Sequence, residues 1–294
     1  MNIKGLLCVI IAGIGWGASS IFVNILPAST GITPPQTAAI RTIISAIVIL
    51  LYIALLNPQQ LKTKLKHLPF HILSGLSMYC TGAFYYSAIK ETSVSVAVVL
   101  MYTAIIIVTC YSVAFFNERL TRNKIIAVLM TIVGCVLVTG MLTDMRFTPY
   151  GIFLGFMSSA AYSTYNIVTK IEMRKDMNPL TCTAYCFIFA ALSSVVIINP
   201  ADIAVKIISG GIPIILWSIG VAIVTCTMPY ILYTLGLKKL PAGVAASLAI
   251  IEPLSASLFS IIFFNEQLNL SSISGIILIL SAVVIISIAK GEKL

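Results

Sequence analysis

Phe115-Phe116-Asn117-Glu118-Arg119-Leu120 and Phe263-Phe264-Asn265-Glu266-Gln267-Leu268 are nearly the same phrase written twice in one chain. The copies stand 148 residues apart, and the match runs backwards from them without a gap. Between 85–120 and 233–268, 11 of 36 positions are identical, among them Tyr85/Tyr233, Lys90/Lys238, Val96/Val244, Ala97/Ala245 and Leu100/Leu248. Apolar composition alone yields some matches, but not a recurring Phe-Phe-Asn-Glu-x-Leu at the same end of an apolar run. A weaker echo pairs Gly15-Trp16-Gly17-Ala18 with Ala161-Tyr162-Ser163-Thr164, and Pro35 with Pro179. The expected organisation is a tandem duplication, 1–145 followed by 146–294.

Around the repeat the chain is unusually apolar. Of 294 residues 59% are hydrophobic and 9% charged, against roughly 25% charged in soluble domains; mean hydropathy is +1.07. A soluble chain of this length would lack the polar side chains to cover its surface, whereas a lipid-facing one needs none. Breaks at Pro, Gly, Asn and charged residues leave ten apolar stretches near the roughly 20 residues that cross hydrocarbon as a helix. They are 4–24, 33–56, 67–88, 92–116, 123–141, 150–170, 180–198, 213–236, 242–263 and 272–289. Their polarity does not alternate, which excludes membrane-spanning strands. The first run follows Met-Asn-Ile-Lys as a secretory leader would, but it continues without a clear small-residue cleavage site and is expected to be a retained span.

The net charge of +9 lies in short clusters between the runs, not along one face or tail. That reads as topology signals and argues against a nucleic-acid partner. With the N-terminus inside, 14 of the 18 Lys and Arg residues fall inside: Lys4, Lys62, Lys64, Lys66, Arg119, Arg122, Lys124, Lys170, Arg174, Lys175, Lys238, Lys239, Lys290 and Lys293. Lys90, Arg146 and Lys206 fall outside, and Arg41 lies within a span. The excess of positive charge predicts cytoplasmic termini in a cell-membrane protein. Each repeat holds five spans, an odd number, so the second copy enters from the opposite side. The expected fold is an all-α polytopic membrane protein of ten transmembrane helices, built as two inverted five-helix repeats. Many alternating-access carriers have this architecture, with the ligand near the midplane between the halves.

Several residues carry a resemblance to a known family: Gly13-x-Gly15-Trp16-Gly17 in the first span, Arg41 with small and apolar residues after it in the second, and Phe116-Asn117-Glu118-Arg119-Leu120 closing the fourth. The ninth adds Ile251-Glu252-Pro253-Leu254 and Phe264-Asn265-Glu266. In these the chain resembles ten-helix members of the drug/metabolite transporter superfamily, EamA type, over essentially its whole length. The resemblance implies a carrier of small organic metabolites, favours export, and places spans 1, 3, 4, 6, 8 and 9 around a central cavity. It names no substrate. One departure from two-fold symmetry stands out, since Thr103-Ala104-Ile105 occupies the place of Ile251-Glu252-Pro253 and the first half lacks the Glu-Pro feature.

Glu252 is the sharpest candidate residue. An ionisable group midway along a span costs roughly 2.5–3.5 kcal/mol, so it must face protein or a wet cavity. Pro253 leaves the Ala249 carbonyl without its helical donor and loosens the helix beside it. The pair reads either as a substrate-amine or proton site, or as an interior carboxyl that fixes packing. Arg41 can pair with a carboxylate, donate to loosened carbonyls or contact an anion; a structural ion pair is the plainer account. Trp16, Tyr79, Tyr86, Tyr102, Tyr162, Asn166 and Tyr230 are the polar-tipped candidates for lining the cavity the resemblance implies. Residues near span ends belong by default to the interfacial belt, which weighs most against Tyr86 and Asn166. Trp16 and Tyr162, repeat equivalents, are expected to face each other. Gly13 with Gly17 and Gly151 with Gly155 form faces for close helix packing, and Glu118 and Glu266 mark equivalent helix ends.

No metal or cofactor is expected. The seven cysteines lie within apolar runs; Cys182 and Cys186 stand one helical turn apart with no histidine beside them in sequence, and His67 and His71 carry no assigned chemistry. Without a Walker motif or phosphate loop, ATP is not the expected direct energy source. An intramembrane enzyme would need paired acids or a nucleophile–histidine constellation at depth, and a channel would need a repeated polar lining. The expected function is a secondary carrier for an amino acid, amine or similar amphiphile, with protons as the candidate coupling ion; a channel or assembly protein is the alternative.

Overall fold

The computed structural model describes residues 2–19, 21–22, 30–56, 58–92, 94–138, 148–264 and 270–288. Among them are helices and turns, with no strand. In the first half, α1 is Ile3–Gly17, α2 Pro34–Leu56, α3 Leu68–Glu91, α4 Val94–Tyr102, α5 Ala104–Phe116 and α6 Arg122–Val138. In the second, α7 is Pro149–Arg174, α8 Pro179–Ile197, α9 Pro200–Ser209, α10 Gly211–Ala222, α11 Met228–Lys239, α12 Ala242–Leu248, α13 Ile251–Phe264 and α14 Leu270–Ile288. Glu266, Arg146, Lys290 and Lys293 lie outside the described residues, as does the second copy of the repeated phrase from Asn265 to Leu268.

Local sequence explains where these helices start. Thr148-Pro149, Asn178-Pro179 and Asn199-Pro200 each place an oxygen-bearing cap before a proline, whose fixed φ and missing N–H suit the first helical position. The Thr148 hydroxyl accepts from Gly151 N at 3.0 Å, and Asn178 Oδ1 accepts from Leu180 N at 2.9 Å. At the other end of α5, Asn117 takes a left-handed φ of 56° and ends the helix. That conformation gives a physical reason for an asparagine just after the Phe-Phe pair.

The surface is apolar and much of the interior is polar. Leu55 (81% exposed), Val196 (87%), Ile212 (72%) and Leu270 (85%) face outward, while Ser74, Ser158, Ser159, Asn166 and Glu172 are buried. That arrangement suits a hydrocarbon surrounding. Among the described residues, four stretches are long and apolar enough to cross a membrane: Pro34–Leu56, Val96–Phe116, Pro179–Ile197 and Gly211–Lys239. The longest helices, α3 and α7, have 24 and 26 residues, but they are less apolar because each turns hydroxyl-bearing residues inward.

Each of the ten expected stretches contains helix; the ninth divides into α12 and α13 beside the Glu252-Pro253 pair expected to loosen it, and the structure departs from the expectation in three other places. The fourth stretch is two helices, α4 and α5, meeting at Thr103. With no proline there, the Thr103 hydroxyl donates to the Leu100 carbonyl at 2.6 Å and takes up the acceptor a continuing helix would use. The eighth stretch contains a π-helical turn, Ile223–Thr227, just before Pro229. The segment expected as a loop between the seventh and eighth stretches holds α9, too short to read as a span. It buries Ile203 and exposes Val205 and Ile208; Lys206 and Gln36 both bond Asp202, at 2.9 and 2.5 Å, and hold its carboxyl below the usual carboxylate range.

The helices of the two halves interleave. Along α1, Gly5 faces Lys239 and Leu240 while Gly15 faces Pro229, so α1 and α11 are antiparallel. Gly13 faces Ile251 and Gly17 faces Ser255, so α1 and α13 run parallel. The equivalent pair in the other half is α7 with α4–α5: Ser159 Oγ lies 2.8 Å from Thr103 Oγ1, and Ser163 Oγ 3.5 Å from the Ala104 carbonyl. The weak echo maps Gly13 and Gly17 onto Ser159 and Ser163, and the strong repeat maps Ile251 and Glu252 onto Thr103 and Ala104. The two sequence signals therefore describe one repeated helix contact.

A Cβ on Gly17 would fall 2.5 Å from Ser255 Cβ and 2.7 Å from the Glu252 carbonyl oxygen. Gly17→Val is expected to force α1 and α13 apart, costing about 1–3 kcal/mol, read as a lowered thermal midpoint in detergent. Ala54→Val on the exposed side of α2 should leave that midpoint nearly unchanged.

Candidate functional site

Two prolines prepare the centre of the bundle. A proline within a helix leaves the carbonyl four residues earlier without its N–H donor. For Pro253 that carbonyl is Ala249, and for Pro229 it is Thr225. The Ala249 oxygen accepts the Glu252 N–H at 2.9 Å, and both oxygens are also met by side chains of the first half. The Tyr102 hydroxyl lies 3.1 Å from the Ala249 oxygen and 2.8 Å from Glu252 Oε2, so one proton is shared between two acceptors. Arg41 Nη2 donates to the Thr225 oxygen at 2.6 Å.

Beside these groups lies a cavity of about 670 Å³, counted with its open mouth. Glu252 lines it from the start of α13, and Arg41 from α2 lies within electrostatic range of that carboxylate. Nη1 of Arg41 donates to the Tyr86 hydroxyl, and the guanidinium lies 5.8 Å from the Tyr86 ring centroid. Glu252 is the one acid among the described lining residues. Among the lining residues four donor-bearing atoms, Trp16 Nε1, Arg41 Nε and the hydroxyls of Tyr79 and Tyr162, are buried with no hydrogen-bond partner among the described residues. Buried donors normally find acceptors, and each of these belongs to a residue that lines the cavity.

Below Trp16 the rings close together. Trp16 lies 5.2 Å from both Tyr230 and Tyr233, and Tyr165 packs edge-on against Tyr230 at 5.3 Å. Beyond this aromatic floor, the ends of α5, α6, α7, α11 and α12 are tied across the halves. Glu118 receives Lys124 Nζ at 2.7 Å and the Ala242 N–H at 2.9 Å. Lys170 donates to the Leu237 carbonyl at 2.8 Å and also to the Leu240 carbonyl. Ser19, Arg41 and Gly82–Tyr86 lie toward the opposite ends of their helices. The cavity is thus displaced to one face, and the other face is clamped.

Of the residues expected at the site, Trp16, Arg41, Tyr79, Tyr86, Tyr162, Tyr230 and Glu252 line this cavity. Trp16 and Tyr162 both do so. Tyr102 stands just behind, holding Glu252. Asn166 does not line it: its amide donates to the Tyr162 carbonyl at 2.7 Å, and its oxygen accepts from the Tyr233 hydroxyl. Tyr86 is not an interfacial-belt residue, because the buried guanidinium of Arg41 needs an acceptor and draws its hydroxyl inward. Pro253 stands four residues after Ala249, whose carbonyl oxygen the Tyr102 hydroxyl meets. Sequence reasoning missed Ser19, Thr42, Tyr85, Met101 and Cys226 among the lining residues; the one available signal was that Tyr85 belongs to the repeat. It also missed that His71, far from Cys182 in sequence, approaches it in the fold together with Glu172.

Comparison with known proteins agrees with this architecture. The family model of the EamA-like transporter family matches the chain twice, over residues 3–140 and 149–288. The chain is 29% identical over 288 residues to an uncharacterized transporter, YwfM, of Bacillus subtilis, covering 98% of this chain and 95% of that one. It is 31% identical over 219 residues to an uncharacterized transporter of Archaeoglobus fulgidus, covering 74% and 76% of the two chains. A solved crystal structure shares the fold with a TM-score of 0.78 at 18% identity, covering 97% of this chain and 96% of that chain.

Proposed function

The chain belongs to the EamA-like transporter family, and from that premise we propose that this membrane transporter is a secondary carrier for a small amphiphile bearing an amino group, an amino acid or amine. The observation that carries the reading is one carboxylate, Glu252, and one guanidinium, Arg41, bordering the same cavity. An ammonium complements the first. A carboxylate or carbonyl complements the free donors on Arg41, Trp16 and Tyr79. The aromatic floor supplies apolar area and cation–π attraction for the rest of the ligand.

In this proposal ten helices cross the plasma membrane as two inverted five-helix halves, 1–145 and 146–294, with both termini in the cytoplasm. The clamped face is then cytoplasmic and the cavity faces outward. Glu252 takes either the substrate ammonium or a proton. A proton arriving from outside expels the substrate, and the protonated carrier turns inward, so proton entry drives export. The clamp of Glu118, Lys124 and Lys170 opens when the halves rock, and the helix breaks at Thr103 and Ala249 are the places where α4–α5 and α12–α13 bend.

The test is uptake into proteoliposomes of a panel of labelled amino acids and amines. A carrier saturates and shows counterflow; linear, non-saturating flux would replace this reading with a channel, and the absence of flux across the panel would remove it. Inversion is tested separately. Cysteines placed at Arg122 and Leu270, in a chain lacking native cysteines, should react with an impermeant thiol reagent from opposite faces of the membrane. Reaction from the same face would end the inverted arrangement.

A further inference from the structure

Away from the cavity, on the clamped side, His71 of α3, Glu172 of α7 and Cys182 of α8 bring one donor atom each to within 4.8 Å of the others, all three buried. His71 Nδ1 lies 2.6 Å from Glu172 Oε1, and both side chains are 1% exposed. The other ring nitrogen, Nε2, lies 3.1 Å from the Thr63 hydroxyl, and the Tyr185 ring stacks on the imidazole at 5.0 Å between centroids. We infer that these three residues form a site for a single zinc-class divalent ion, independent of the transported substrate.

The donor set is the first argument. Imidazole, carboxylate and thiolate together suit Zn²⁺, and three protein ligands leave one position for water or another exogenous donor. The second is the surroundings of His71. A metal-bound histidine characteristically has its other nitrogen engaged by an outer partner that sets tautomer and ring orientation. Thr63 stands at that nitrogen, and the Tyr185 ring limits rotation. The third is size. Bonds of about 2.0–2.3 Å place neighbouring donors roughly 3–4 Å apart around one ion, so the side chains need shift by only about 1 Å. Charge is the fourth. One carboxylate and one thiolate offset the dication, in a place where an unbalanced charge would be costly.

Thr63 is only partly buried, and its loop between α2 and α3 gives an entry path from the clamped face. On binding, the contact between His71 and Glu172 opens to admit the ion. The thiol proton of Cys182 leaves to water, and the imidazole stays neutral with its one proton on Nε2 toward the Thr63 hydroxyl, which frees Nδ1 for the ion. The bound ion ties α3, α7 and α8 together, two of them cavity-forming helices or their direct neighbours.

The experiment uses the full-length protein purified in detergent without chelators and titrated with Co²⁺ alone and with Zn²⁺ alone. Co²⁺ is expected to bind at one equivalent with a thiolate-to-cobalt charge-transfer band, which one equivalent of Zn²⁺ abolishes. Loss of outer partners typically weakens a metal site 10- to 100-fold, so Cys182→Ser, which removes a ligand, is expected to weaken Zn²⁺ binding at least about 100-fold and to remove the band. Cys186→Ser, one turn away, should retain it. Because the band is read on the unmodified protein, a folding defect in the variant does not decide the outcome. Absence of saturable Co²⁺ or Zn²⁺ binding at micromolar concentration would overturn the site, as would a band that survives Cys182→Ser. In either case the cluster is a buried hydrogen-bonded pair beside a thiol.

Discussion

Glu252→Gln is expected to weaken substrate binding roughly 30- to 100-fold and to abolish the response of transport to a proton gradient. Glutamine keeps the shape of the side chain and leaves an oxygen for the Tyr102 hydroxyl, now 2.8 Å from Glu252 Oε2, so the bend at Ala249 persists. What disappears is charge. Removing one partner of a buried ion pair costs about 2–5 kcal/mol, and each 1.4 kcal/mol is tenfold in affinity; the lower end of that range, about 2–2.8 kcal/mol, gives the stated loss. The proton response falls for a separate reason, because an amide does not accept a proton in this range. Binding is measured by thermal stabilisation against the panel, and coupling by efflux from proteoliposomes with and without an imposed gradient. A variant that transports equally at acidic and neutral pH, with the gradient response of the parent, would remove Glu252 from the coupling step.

Arg41→Leu is expected to cost about 3–5 kcal/mol of stability. The guanidinium serves three groups at once: the Tyr86 hydroxyl, the Thr225 carbonyl and the Glu252 charge. Without it the Thr225 oxygen, already deprived of a helical donor by Pro229, has no replacement at membrane depth, and Glu252 is left without an opposite charge. The double variant Arg41→Leu/Glu252→Leu is expected to regain most of the loss, since a pair of apolar residues avoids the unpaired charge. Arg41→Lys should fall between, because a single ammonium cannot reproduce the fork that reaches Tyr86 and Thr225 together. The readout is the thermal midpoint in detergent. Additive losses in the single and double variants would show that the two charges do not interact, and the cavity would lose its zwitterionic character.

Much of the site could be read from the chain because charges are rare in it. Arg41 and Glu252 interrupt otherwise apolar runs, and the cost of an unpartnered charge there requires that each find a partner; Pro253 likewise announces a freed carbonyl. No such signal exists for Thr42, Met101 or Cys226, whose residue types are common on every face of every helix here. Their place in the lining depends on the rotation of each helix about its axis, which packing sets. The break at Thr103 was hidden for a similar reason. Threonine interrupts a helix only when its hydroxyl turns back onto a carbonyl, and most threonines in this bundle, Thr81 onto Ser77 and Thr234 onto Tyr230 among them, make such bonds without a break.

By itself the sequence determined the class of the protein, its duplication, the places where helix begins, and the two charges that must be reconciled inside it. These follow from local chemistry: hydropathy over about 20 residues, capping residues followed by proline, and a repeat written in identical letters. Only the tertiary structure decided which carbonyl each first-half donor takes, that the cavity is displaced to one face while Glu118, Lys124 and Lys170 close the other, and that His71, Glu172 and Cys182 meet. Most of those outcomes join residues 67 or more positions apart, and what joins them is the angle and register at which helices pack, as through Gly5, Gly13 and Gly17, a property of pairs of helices that no single stretch of chain contains.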